Sequence, residues 1–124
     1  MATVLMSINP QYADLILSGK KKIELRRARF NKKVDRVVIY ATSPISKVIG
    51  ECEVEEVVYD HPAGIWEEFG AVSGVSKEFF DRYYLNRELA VGLLVSKPQR
   101  YLTSKSLSDV VPGVTTPPQS FRYL

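Results

Sequence analysis

Lys21, Glu24 and Arg26, an ammonium, a carboxylate and a guanidinium within six residues, are the side chains whose spacing could support chemistry in this sequence. They lie in the stretch Gly19 to Arg36, GKKKIELRRARFNKKVDR, which holds nine of the 17 basic residues and only two acids. That stretch carries +7, so the rest of the chain sums to −4 beneath a net charge of +3. Within it, Ile23 and Leu25 alternate with Lys22, Glu24 and Arg26, the period of a half-buried strand. One face of such a strand lies on a core while the other presents both signs of charge. Phosphate binding has no use for a carboxylate. Glu24 among cations therefore has something else to do, whether orienting a cation, accepting an N–H from a base edge, or moving a proton. The plain alternative is a surface ladder of salt bridges worth ~0–1 kcal/mol each.

Further along, Arg27, Arg29, Lys32, Lys33 and Arg36 form a basic patch suited to phosphates, whose binding would weaken with salt, or else a solvated loop. Tyr12, Tyr40, Tyr101 and Tyr123 could stack on bases or pack internally, and Gln119 and Ser120 are further polar candidates for ligand contact. His61 is the only histidine, and no cluster of cysteines or acids accompanies it, so no metal or cofactor is expected. Ser7 and Ser120 have no histidine nearby to activate them, which gives a serine-hydrolase triad little support. Cys52 falls on the core face of a strand and reads as inert.

The elements that must position these residues are legible. Thr3 to Ile8 reads as a first strand, closed by Asn9-Pro10, an N-cap followed by the proline of a first helical turn. A helix runs to about Ser18 with Tyr12, Leu15 and Ile16 inward, and Gly19 ends it. The motif strand follows over about 22–27. Val34 to Thr42 is a third strand, its VVIYA run suggesting burial on both faces. Lys47 to Tyr59 sets Val48, Cys52 and Val54 opposite Glu51, Glu53 and Glu55, with a bulge at Gly50. The acidic row either pairs with the basic segment or faces water. Helices are expected over 63–69 and 77–85, the second carrying Phe79, Phe80 and Tyr83 as a core stripe. Glu88 to Val95 is another strand, Ser106 and Asp109 form a capping-box-like pair over a short turn of helix, and the tail TTPPQSFRYL is extended and able to dock back through Phe121, Tyr123 and Leu124. Five or six strands with short helices inside the strand order predict an α+β fold, a small mixed barrel.

A length of 124 residues suits one domain, 1–124, able to bury a core without metals or disulfides. The single cysteine points to a reducing cytoplasm. MATVLMSINP lacks the features of a signal peptide, and no apolar run approaches the ~20 residues of a membrane span. The pI near 9.0 permits an anionic partner.

SINPQYADLILSGKKKIELRR resembles the opening of the ASCH domain, a branch of the PUA-like superfamily. Gly19, Lys21, Glu24 and Arg26 meet its G-x-K-x-x-E-x-R pattern, and IYATSP and PPQSFRYL fit its later course. The resemblance covers nearly the whole chain. It implies a PUA-like β-barrel with helices bordering a cleft lined by the motif residues. It also implies RNA binding, often tied to translation or transcription co-regulation. A few members are amidohydrolases that deacetylate N4-acetylcytidine, using a lysine, a threonine and a downstream glutamate. Lys21 matches that lysine, Glu24 stands where the threonine would be, and the glutamate falls near Ser73, with Glu67 and Glu68 close by. The resemblance thus supports a module for RNA, single-stranded nucleic acid or a nucleoside, contacted by Lys21, Glu24 and Arg26. The alternative is a small hydrolase of an acylated nucleoside or RNA, with Lys21 and Glu24 catalytic. Oligomeric state is left open.

Overall fold

The computed structural model describes all 124 residues. The apolar, β-branched opening forms strand β1, Ala2–Ile8. Asn9 ends it and caps helix α1, Pro10–Leu17, by accepting a hydrogen bond from the Gln11 N–H. Gly19, at φ +82°, turns the chain out of the helix into β2, Ile23–Arg26, a conformation that costs other residues more. There follow β3, Val34–Ala41, β4, Lys47–Asp60, and α2, Pro62–Phe69. A 3₁₀ turn, Gly70–Val72, leads to α3, Lys77–Tyr83. Then come β5, Ala90–Lys105, α4, Leu107–Val110, and β6, Phe121–Tyr123.

The six strands form one mixed sheet in the order β2-β5-β4-β3-β1-β6, curved into a half-barrel. Only β1 and β3 run parallel, with α1 and β2 between them in the chain; the other pairs are antiparallel. The ladder leaves β2 and β6 as its two edges. Val4, Met6, Val37, Ile39, Cys52 and Leu93 fill the hollow of the sheet under Ala13 and Ile16 of α1. Leu5, Val38, Tyr40 and Val48 lie on the opposite face against Leu107 of α4, so β3 is covered on both sides as its composition predicts. A third cluster joins Ile65 of α2 and Phe80 of α3 to Ile23 and Leu25 of β2. No helix is long and apolar enough to cross a membrane.

β5 continues ten residues past Val95, the expected end of the strand, and runs through Pro98. The proline is tolerated because the pairing with β4 slips between Glu51 and Glu53, where a bulge holds Lys97 at φ +48°. The acidic row of β4 divides: Glu51 pairs with Arg36 of the basic segment, whereas Glu53 sits 3.4 Å from Lys97 and Glu55 accepts from Ser96.

The expected bulge at Gly50 is present, with shifts of register toward both neighbouring strands. A Cβ there would meet the Gln99 carbonyl oxygen at 2.6 Å and Leu17 at 2.8 Å. Because the first of these is backbone in a ladder, Gly50→Ala is expected to destabilise the fold by about 1–3 kcal/mol. Urea unfolding checks this; an unchanged midpoint would show that β5 yields freely at this point.

Candidate functional site

The site forms where the half-barrel fails to close. β2 is held on one side only, by β5, with Glu24 opposite Leu93 and Arg26 opposite Val91. On its open side lie the end of β1 and the tail before β6, and the Arg26 guanidinium crosses the gap. It donates to Glu24 Oε2 at 2.8 Å, to the Ser7 carbonyl at 3.1 Å and to Ser120 Oγ at 3.1 Å. Ser7 ties the far bank together: its N–H donates to the Ser120 carbonyl and its hydroxyl to the Pro118 carbonyl at 2.7 Å. Lys21 enters from the α1–β2 turn. Its ammonium donates to the Ser73 carbonyl and lies 3.7 Å from Glu24 Oε1 and 5.3 Å from the Tyr12 ring centre. Glu24 is thus held between two cations, one at each oxygen. Lys21 is 2% exposed and Glu24 7%.

Above this group opens a hollow of about 180 Å³, walled by Asn9 and Tyr12 on one side and Val75, Phe79 and Tyr83 on the other. Tyr12 and Phe79 meet at 5.6 Å between ring centres, and Phe79 stacks on Tyr83 at 5.9 Å. The Tyr83 hydroxyl donates to the Leu25 carbonyl, which faces away from β5 and which a further strand would otherwise take, and the Tyr84 hydroxyl donates to the Arg26 carbonyl at the end of the β2–β5 ladder. Helix α3 therefore seals the β2 edge and lines the hollow at once. The aromatic stripe read as core splits accordingly. Phe80 and Tyr84 are buried in the core, whereas Phe79 and Tyr83, one helical turn apart on the neighbouring face, line the hollow. Their i, i+4 spacing was the available signal, since two adjacent aromatic residues on a short helix cannot both face inward.

The structure brings together Lys21, Glu24, Arg26 and Ser120 of the predicted residues, with Tyr12 and Ser7 joining them. Tyr40 lies apart, 6% exposed against Leu5, Val48 and Leu107 on the other face of the sheet, so it offers no ring to a ligand. Tyr101 also sits on that face, donating to Glu51. Gln119 is exposed in the tail beside Ser120. Arg27, Arg29, Lys32 and Lys33 are exposed on the loop after β2, outside the hollow. Arg36 is engaged by Glu51. Ser73 does reach Lys21, but through its carbonyl, and Glu67 and Glu68 line a separate hollow with Asp60. The lysine, threonine and glutamate set of the amidohydrolases is therefore not assembled around Lys21. No group of three His, Cys, Asp or Glu side chains is disposed to hold a metal ion.

Burial pushes the Lys21 ammonium below the usual lysine range, with Glu24 pulling the other way. The Tyr83 phenol is pushed up by the same loss of water, and the Cys52 thiol, buried beneath the site, to about 12. A lysine depressed in the fold binds fewer protons than its unfolded counterpart just below the ordinary value of 10.5. Stability owed to this group therefore rises with pH through that window, as the cost of burying the charge lapses. Lys21→Met should lose this rise, so urea unfolding between pH 7 and pH 10 should show the native protein gaining on the variant; parallel curves would contradict the assignment. Glu24→Ala, which leaves a buried ammonium without its carboxylate, should cost about 3–5 kcal/mol in the same assay at neutral pH.

Comparison with known proteins places this geometry in context. The family model for the ASCH domain matches residues 6–99. Over 122 residues the chain is 30% identical to an ASCH domain-containing ribonuclease of Zymomonas mobilis, covering 96% of the chain and 82% of that protein. It is 32% identical over 123 residues to the large ribosomal subunit protein uL22 of Ureaplasma parvum, but spans only 39% of that protein's length. The crystal structure of ASCH from Zymomonas mobilis superimposes with a TM-score of 0.90 at 28% identity, over 99% of this chain and 87% of that one. With the motif residues gathered at one seam and the family model matching most of the sequence, the chain belongs to the ASCH domain family.

Proposed function

We propose that this protein binds single-stranded RNA in the seam hollow and cleaves it there by internal transesterification. The observation that carries the reading is the Glu24 carboxylate, fixed between Lys21 and Arg26 at the floor of an aromatic-walled hollow. RNA as substrate draws on the relative from Zymomonas mobilis that is named a ribonuclease. Tyr12 and Phe79 supply faces on which an unstacked base can lie, and such stacking is worth about 1–3 kcal/mol per base. A duplex keeps its bases stacked and would not present one to so small a hollow.

In this reading Glu24 is the general base. It takes the proton of a ribose 2′-hydroxyl, the 2′-oxygen bonds to the adjacent phosphorus, and the bond from phosphorus to the 5′-oxygen breaks. The leaving oxygen takes its proton from water at the open mouth. Arg26 faces the phosphorane and offsets the charge gathering on its oxygens, and Lys21 holds the carboxylate in place. The products are a 2′,3′-cyclic phosphate and a free 5′-hydroxyl.

Incubation with an end-labelled single-stranded oligoribonucleotide tests the proposal. The native protein should yield cyclic-phosphate ends, Glu24→Gln should cut slower by a factor of about 10²–10⁴, and the all-deoxy strand should remain intact. Undiminished cleavage by Glu24→Gln, or cleavage of the deoxy strand, would overturn the mechanism.

A further inference from the structure

Outside the hollow, the loop between β2 and β3 carries Arg27, Arg29, Lys32 and Lys33, and none of the four lies within ion-pairing distance of a carboxylate. Three of them rest on tyrosine rings instead: Arg27 on Tyr83 at 4.6 Å, Arg29 on Tyr59 at 4.8 Å and Lys32 on Tyr123 at 4.8 Å. The loop itself is pinned. Phe30 packs against Phe121 at 4.7 Å and plugs the end of the main core, the Phe30 N–H donates to the Tyr59 hydroxyl, and the Asn31 N–H donates to that of Tyr123. A tyrosine seat fixes a cation by its flat side or stem without neutralising it, and leaves a guanidinium its N–H edge for an incoming oxygen. The row begins at Tyr83, which is also a wall of the hollow, and runs by way of Tyr59 at the end of β4 to Tyr123 in β6.

We infer that this loop is a preorganised phosphate track, which carries the backbone of a single-stranded RNA away from the hollow for several nucleotides. The substrate class is thus an extended strand and not a free nucleotide. The inference rests on the reading of the hollow as an RNA site. Arg27 stands at the junction, seated on a ring that walls the hollow, and Arg29 and Lys32 engage successive phosphates beyond it. Seating the cations beforehand reduces the side-chain ordering that binding would otherwise cost, so the track gains affinity from rigidity as well as charge.

Fluorescence anisotropy over a range of salt concentrations reads the track directly, using a dinucleotide, a twelve-nucleotide single strand and a polyglutamate chain of matched charge. The native protein should bind the long strand at least tenfold more tightly than the dinucleotide. Replacing both Arg29 and Lys32 by Gln should reduce the slope of log affinity against log salt by about 0.7 for each cation removed. Tyr59→Leu should weaken the long strand while keeping every charge, and Tyr59→Phe, which keeps the ring, should bind more tightly than Tyr59→Leu. An unaltered affinity and slope in the double variant would overturn the track, whatever Glu24→Gln does to cleavage. Equal affinity for polyglutamate would overturn it too, since the loop would then attract any polyanion. If the slope falls as expected but Glu24→Gln leaves cleavage undiminished, the track stands and the catalytic reading of the hollow fails.

Discussion

The ion pair between Glu24 and Arg26, closed on its other side by Lys21, is the interaction on which the arrangement depends. Burying three charges is expensive, and an arrangement of this kind persists only if their remaining donors and acceptors are met. Most are: the ammonium finds the Ser73 carbonyl, and the guanidinium finds Ser7 and Ser120. Only Arg26 Nε is left buried without a partner. These partners come from three separate parts of the chain, so the triad also fastens the segment before α3, the end of β1 and the tail to the α1–β2 turn and β2. A site made this way cannot loosen without loosening the fold around it.

The position of the triad follows from the sheet. Six strands in a half-barrel leave β2 and β6 as edges, and exposed edges invite pairing with another chain. Here the β2 edge is covered by side chains. Tyr83 donates to its outward Leu25 carbonyl and Arg26 reaches across to the opposite bank. Covering an edge with polar side chains leaves a gap that a backbone ladder would have filled. That gap is the hollow, which thus follows from the incomplete closure of the barrel.

Much of this could be read from the residues. The alternation Lys22, Ile23, Glu24, Leu25, Arg26 fixed the strand and the face on which the charges stand, and Asn9-Pro10 with Gly19 bracketed the helix before it. What escaped was decided by tertiary pairing. β5 extends past Pro98 because a bulge opposite β4 absorbs the proline, which local propensity cannot foresee. Tyr40 is buried because α4 folds back over that face, a contact 67 residues distant in sequence. Phe79 and Tyr83 line the hollow because a seven-residue helix meets the core with one face only. The motif gave the floor of the site, while its walls had to come from three dimensions.

The charge imbalance between the basic segment and the rest of the chain is likewise settled by register. Pairing of β3 with β4 brings Arg36 alongside Glu51 and Glu53, and the bulge in β5 delivers Lys97 to Glu53. Farther off, Asp14 takes Arg100 and Asp81 takes Lys77. Four carboxylates of the body thus meet cations outside the loop after β2, and three cations of that loop rest on aromatic rings. A uniform mixture of the same charges would have given a surface of weak, mutually screened pairs. Segregation by strand register instead leaves one edge of the hollow positive, and a single carboxylate at its floor is the only negative group a bound strand would meet inside.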